Sequence, residues 1–188
     1  MTTTSFEDRA LLLRMAREAI AAHVTSSPQS AIHNQSATRN PRSAMLLRLG
    51  GAFVSLHARG DLRGCIGHIE PNEPLGTVVP RCAVAACSAD PRFPPVTAAE
   101  LVEIAIEISL LGPLEPIGAR HEIEIGRHGL LVEQGWQRGL LLPQVATEWG
   151  WDVDTFIEQT CRKAGLPRDA SKRGAKLWRF SAEVFGDH

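Results

Sequence analysis

From Ala52 the chain reads Ala-Phe-Val-Ser-Leu-His-Ala, then Arg59-Gly60-Asp61, then Leu62-Arg63-Gly64-Cys65-Ile66-Gly67-His68-Ile69. Apolar and polar residues alternate on both sides of a turn tripeptide, the pattern of a β-hairpin with strands at 52–58 and 62–69. A further strand-like run at 44–49 precedes it across Gly50-Gly51. Its register can be argued from the pattern. A three-residue loop sets Ala58 opposite Leu62, Leu56 opposite Gly64 and Val54 opposite Ile66, so that one face is apolar throughout. The other face then pairs His57 with Arg63 and Ser55 with Cys65. A two-residue loop would set polar against apolar at every pair. The expectation is a cluster of Ser55, His57, Arg63 and Cys65.

That cluster is the candidate chemistry of the chain. Arg63 and Cys65 are two apart in one strand and project to one face, roughly 6–7 Å apart at their α-carbons. A fixed cation there favours thiolate over thiol. Gly64 and Gly67 take side chains away on either side, which allows a bulge or the close approach of another group. Cys65 can be read as a nucleophile, a metal ligand or a small packing residue. A nucleophile needs a base within about 2.6–3.2 Å, and His57 is the first candidate. His68 lies on the other face under strict alternation and joins Cys65 only if Gly67 carries a bulge. Arg92 reads either as the partner of Asp90 in a turn or as the holder of an anionic ligand, and Glu107 is a candidate acid or base on a polar strand face.

Elsewhere the order is mixed. A helix is expected from about Glu7 to His23, opened by Ser5 and Asp8, with Leu12, Ala16, Ala19 and Ile20 on its apolar stripe. Residues 28–43 are polar and without period, a loop that could border a site. A helix entered at Pro74 should be interrupted at Pro80 and end at Asp90-Pro91. Thr97 and Glu100 form a small capping box, and residues 103–109 alternate as a strand. Strands at 129–133 and 137–142 flank Gln134-Gly135. An amphipathic helix follows Asp152 and ends at Gly165, and Trp178, Phe180, Ala182 and Val184 make a last strand. The whole gives one α+β domain.

The composition excludes several classes. With 188 residues and a net charge of −1, the chain can bury a substantial core and is not broadly nucleic-acid-seeking. No apolar run reaches the roughly 18–20 residues of a membrane span, so a soluble, cytoplasmic protein is expected. Neither GxGxxG nor GxxxxGK[ST] occurs, and no cofactor is expected. Cysteines at 65, 82, 87 and 161 lack metal or redox spacing; the last three read as packing residues in helices, and all four as reduced thiols. His121, Glu122, Glu124 and His128 read as solvated groups rather than a metal set. Arg162, Lys163, Arg168, Lys172, Arg173, Lys176 and Arg179 form a basic segment opposed by Asp169, read as a helix C-terminus and solvated loop before phosphate contact.

Leu62–Gly67, with Gly51-Ala52-Phe53-Val54 before it and Asp90-Pro91-Arg92-Phe93 after it, resembles the AMMECR family. So do Gly139-Leu140-Leu141-Leu142-Pro143-Gln144-Val145, Gly150-Trp151-Asp152 and Cys161-Arg162-Lys163-Ala164-Gly165-Leu166. The match runs from about Arg9 to Phe185. It implies a mainly antiparallel sheet with flanking helices and a smaller lobe. In prokaryotes such proteins are similar to component A of the AmmeMemoRadiSam group, which implies a Memo-type protein and a radical SAM protein as partners. The family motif covers Arg63 through Gly67 and not His57.

Three functional readings follow. The first is an enzyme, or the catalytic part of one, with a site at Leu62–Gly67 that uses Cys65, with Arg63 and His57 or Ser55, on a small anionic or carbonyl substrate, while Leu62, Gly64, Ile66, Gly67, His68, Asp90 and Arg92 line it. The second is a binding module whose glycine-rich strand docks a protein partner. The third is a nucleic-acid-associated factor acting through the basic segment.

Overall fold

The computed structural model describes residues 4–25 and 43–187. Residues 28–42 of the loop expected at 28–43 lie outside them. The chain forms two compact units, one of Met1–Leu111 with Glu183–His188, the other of Gly112–Ala182.

In the first unit, helix α1 (Phe6–Thr25) is opened by Ser5, whose hydroxyl donates to Asp8 while the Asp8 N–H donates back. Leu12, Ala16 and Ile20, four apart, are its buried stripe. The run at 44–49, expected as a strand, is instead the short helix α2 (Ala44–Leu47). The Ser43 hydroxyl accepts the Met45 N–H and caps it, and Ala, Met and Leu are good helix formers; only Leu49 makes a β-bridge, to Pro74. Helix α3 (Leu75–Ser88) runs through Pro80 without the expected interruption. Pro80 supplies no N–H to the Gly76 carbonyl, but Val78, Val79, Cys82 and Ala83 pin the helix into the core on either side of it.

Strands β1 (Ala52–Ala58), β2 (Asp61–His68) and β3 (Ile104–Leu111) form an antiparallel sheet in the order β2-β1-β3. Val54, Leu56, Ile106 and Ile108 face α1 and α3 in one apolar cluster. The last strand, β7 (Lys176–Gly186), belongs to this unit from Glu183 on. Glu183 accepts the Thr4 N–H and hydroxyl and an Arg9 N–H, and Asp187 exchanges two hydrogen bonds with the Ile106 backbone.

In the second unit, β4 (Glu115–Pro116), β5 (His128–Gln134), β6 (Gln137–Leu141) and the first part of β7 form an antiparallel sheet in the order β4-β7-β5-β6. Helices α4 (Pro143–Glu148), which the sequence reading did not anticipate, and α5 (Val153–Lys163) cover it. Leu130, Val132, Phe156, Ile157 and Cys161 make its core. Asp152 caps α5 through the Thr155 N–H, and Gly165 ends it with a φ of 73°. The molecule is α+β, with antiparallel strands in both units. No helix of the described residues is long and apolar enough to cross a membrane.

Candidate functional site on the β1-β2-β3 face

The hairpin departs from the expected register at its tip. Arg59 and Gly60, with φ of 55° and 89°, make a two-residue turn, so Ala58 pairs with Asp61 and His57 with Leu62. Two successive positive-φ residues are the signature of a type I′ turn, whose twist matches that of the strands. The polar-against-apolar mismatch that a two-residue loop predicts is removed by a bulge: Leu62 and Arg63 together oppose His57, and from Gly64 on the pairing is Leu56–Gly64, Ser55–Cys65 and Val54–Ile66. The predicted His57–Arg63 pair is therefore not formed, while the Ser55–Cys65 pair is.

Cys65 and Ser55 share the face opposite the helices. The Ser55 hydroxyl donates to the Cys65 Sγ at 3.2 Å. Ser55 also pairs with Glu107 on β3, so thiol, hydroxyl and carboxylate stand in one row across three strands. On one side of this row lies His57, on the other Ser109, which pairs with Phe53. The His57 Nε2 and the Ser109 Oγ are both buried without a hydrogen-bond partner among the described residues. The Phe53 ring lies on Gly67: a Cβ there would sit 2.2 Å from it.

The cationic neighbour is committed elsewhere. The Arg63 guanidinium donates to Glu100 at 2.9 Å and to the Pro94 carbonyl at 2.8 Å. Arg63 holds the Glu100 carboxyl down at about 2, helped by the Thr97 N–H and hydroxyl that Glu100 accepts. Replacing Arg63 with alanine is expected to lower stability by about 1–2 kcal/mol and to raise the rate of proteolytic cleavage within residues 90–100, both measurable on the purified protein. A loss below 0.3 kcal/mol would mean that these contacts contribute nothing.

Asp90 acts on the backbone of Cys65. The Cys65 N–H points away from β1, and the Asp90 Oδ2 accepts it at 2.9 Å. The same carboxylate, buried, accepts the Nε and Nη2 of Arg92 at 3.0 and 2.7 Å, and that guanidinium holds it well below the usual carboxylate range. Arg92 thus pairs with Asp90 in the turn and stacks on Phe93 at 5.4 Å.

The remaining expected residues fall outside the row. Leu62 is exposed at the hairpin tip, and Ile66 packs on the helix-side core. Gly64 faces α3. Strand β2 is regular at Gly67, so His68 lies on the face opposite Cys65, where its Nε2 meets Asn72 at 2.9 Å. The other three cysteines are buried, and burial pushes their thiols up, Cys82 to about 11. Ser109 and Phe53 escaped the sequence reading; the alternation of residues 103–109 signals the face of Ser109, but only the β1–β3 register sets it opposite Phe53 on the face that carries Cys65.

The molecule is thus a two-unit α+β protein with a half-buried cysteine on a three-stranded antiparallel face. The AMMECR1 family model matches residues 13–185. A protein of Methanothermobacter thermautotrophicus is 49% identical over 142 residues, covering 72% of this chain and 74% of its own length. One from Thermofilum pendens is 40% identical across 98% of this chain and 92% of its own. The crystal structure of the uncharacterized protein PH0010 from Pyrococcus horikoshii is similar with a TM-score of 0.84 and 38% identity, covering 95% of this chain and 90% of that one. The chain belongs to the AMMECR1 family.

Proposed function

We propose that the face of β1, β2 and β3 is a ligand site whose reactive atom is the Cys65 Sγ, and that it acts on a small electrophilic substrate. The observation that carries this reading is the pair of buried, unpartnered polar atoms on the same face, His57 Nε2 and Ser109 Oγ. Each costs about 1–3 kcal/mol if left unpaired, so a molecule that reaches them on the face that carries the thiol gains hydrogen bonds. Ser55 orients the thiol by donating to it. His57 and Glu107, on the same face, are the groups able to take a proton, while Asp90 fixes the backbone beneath the thiol.

Neither glycine of the motif leaves open space in this reading. The space a Gly64 side chain would fill is held by the Ala86 carbonyl, and that of Gly67 by the Phe53 ring. This leaves the protein-docking alternative without a glycine surface. We place the site in a multi-protein modification pathway with a Memo-type protein and a radical SAM protein. What supports that placement is the resemblance of the motif set to component A of the AmmeMemoRadiSam group, and co-purification of the three co-expressed chains tests it.

The site itself is tested by alkylation. At neutral pH, iodoacetamide is expected to label Cys65 at least tenfold faster than the three buried cysteines, with labelling mapped by peptide mass spectrometry. Cys65→Ser should abolish this fast phase with an unchanged melting temperature, and His57→Gln or Ser55→Ala should alter its rate. Labelling of Cys65 no faster than of Cys82 would end the proposal.

A further inference from the structure

The second unit holds a cleft of about 350 Å³ that the β1-β2-β3 face does not involve. Its size lies within the range of small-molecule sites, about 300–1,000 Å³. Buried Ile123 and Ile157 contribute to its wall, and Arg120, Lys172 and Lys176 line it at exposed positions. No Asp or Glu is among its lining residues.

The pairing of the basic residues sharpens this. In the basic segment of the sequence, Arg168, Arg173 and Arg179 each have a carboxylate, Glu158, Asp169 and Glu115 respectively. Arg120 is paired with Asp154. Lys172 and Lys176, two of the three lysines of the chain, have no carboxylate within ion-pair distance among the described residues, and both line the cleft. Solvated surface lysines need no partner, but two without an ion pair at the rim of one concavity give a local positive potential that an anion bound between them would feel. The Gly118 and Ala119 N–H groups of the same wall are taken by the Glu122 carboxylate, so the lysines are the cationic donors left to a ligand.

We infer that this cleft binds a small organic anion, its apolar body against Ile123 and Ile157 and its carboxylate or phosphate held by Lys172 and Lys176. Nothing in this depends on Cys65. The test uses 1-naphthoate and 1-naphthyl phosphate as anionic probes and 1-naphthylmethanol as the neutral control, titrated into the whole chain by calorimetry and by amide chemical shifts. Both anions should bind more tightly than the alcohol, weaken as salt is raised, and shift the amides of residues 117–120 and 171–177. Lys172→Gln with Lys176→Gln, at exposed positions where folding is not at risk, should weaken both anions about tenfold or more and the alcohol less than twofold. Preference for one anion over the other tells carboxylate from phosphate as the native group. Absence of binding at 10 mM, shifts that map elsewhere, or affinities untouched by the double substitution would each overturn the inference.

Discussion

Gly64→Ala is expected to lose about 3 kcal/mol or more of unfolding free energy, a large part of the total for a domain of this size. A Cβ at this position would stand 2.2 Å from the Ala86 carbonyl oxygen and 3.1 Å from its carbon. Those atoms are backbone in the last turn of α3, which Val79, Cys82, Ala83 and Ala86 anchor in the core, so the strand and helix must separate. Separation breaks contacts along the whole β2–α3 interface, where overpacking is felt most. Gly67→Ala is the control. Its Cβ meets the Phe53 ring, a side chain that can swing, so its cost should be clearly smaller and should fall on the Phe53 side of the sheet. Urea unfolding of the two variants decides the matter: equal losses would show that the approach of α3 to β2 is not what Gly64 provides.

Asp90→Asn is the second large effect, about 2–3 kcal/mol at pH 7. The substitution keeps the shape but removes the charge that Arg92 and the Cys65 N–H share, and it leaves a guanidinium partnered by a neutral amide at a buried position. The dependence on pH follows from the direction of the shift. A carboxyl held below its unfolded value of about 3.9 contributes stability that is present above that value and is lost as pH falls toward the folded one. Glu100, at about 2 in the folded protein against about 4.3 unfolded, acts with the same sign. The parent protein should therefore lose stability steeply between pH 5 and 2, and Asp90→Asn less steeply, so that the two curves converge in acid. Parallel curves would remove Asp90 from the acid response.

Much of this was legible in the residues. The alternation in 52–58 and 62–69 identifies the hairpin, and the apolar pairs Leu56–Gly64 and Val54–Ile66 fix the register that brings Ser55 to Cys65. The tip was not legible, because a type I′ turn with a positive φ at Arg59 is an unusual choice for a long charged side chain, and a bulge leaves no mark in binary patterning. The pairing of Arg63 with Glu100 was hidden for a related reason: 37 residues separate them, and local sequence carries no record of such closures. The 44–47 helix shows the limit of periodicity in four-residue runs, where one capping serine outweighs an apolar pattern. Pro80 shows the converse, a strong local signal overruled by the packing on both sides of it.

Residues 90–100 form a strap along β2, tied by the Asp90 carboxylate to the Cys65 N–H and by the Pro94 and Pro95 carbonyls and the Glu100 carboxylate to the Arg63 guanidinium. β2 is the outermost strand of its sheet, and such a strand offers free backbone donors and acceptors to any other chain. Here one of those donors is closed by a carboxylate, and the neighbouring side chain ties the strap down across it. The contacts that seat the Cys65 backbone thus also guard against strand addition. Variants that release the strap should form concentration-dependent, β-rich oligomers before they unfold.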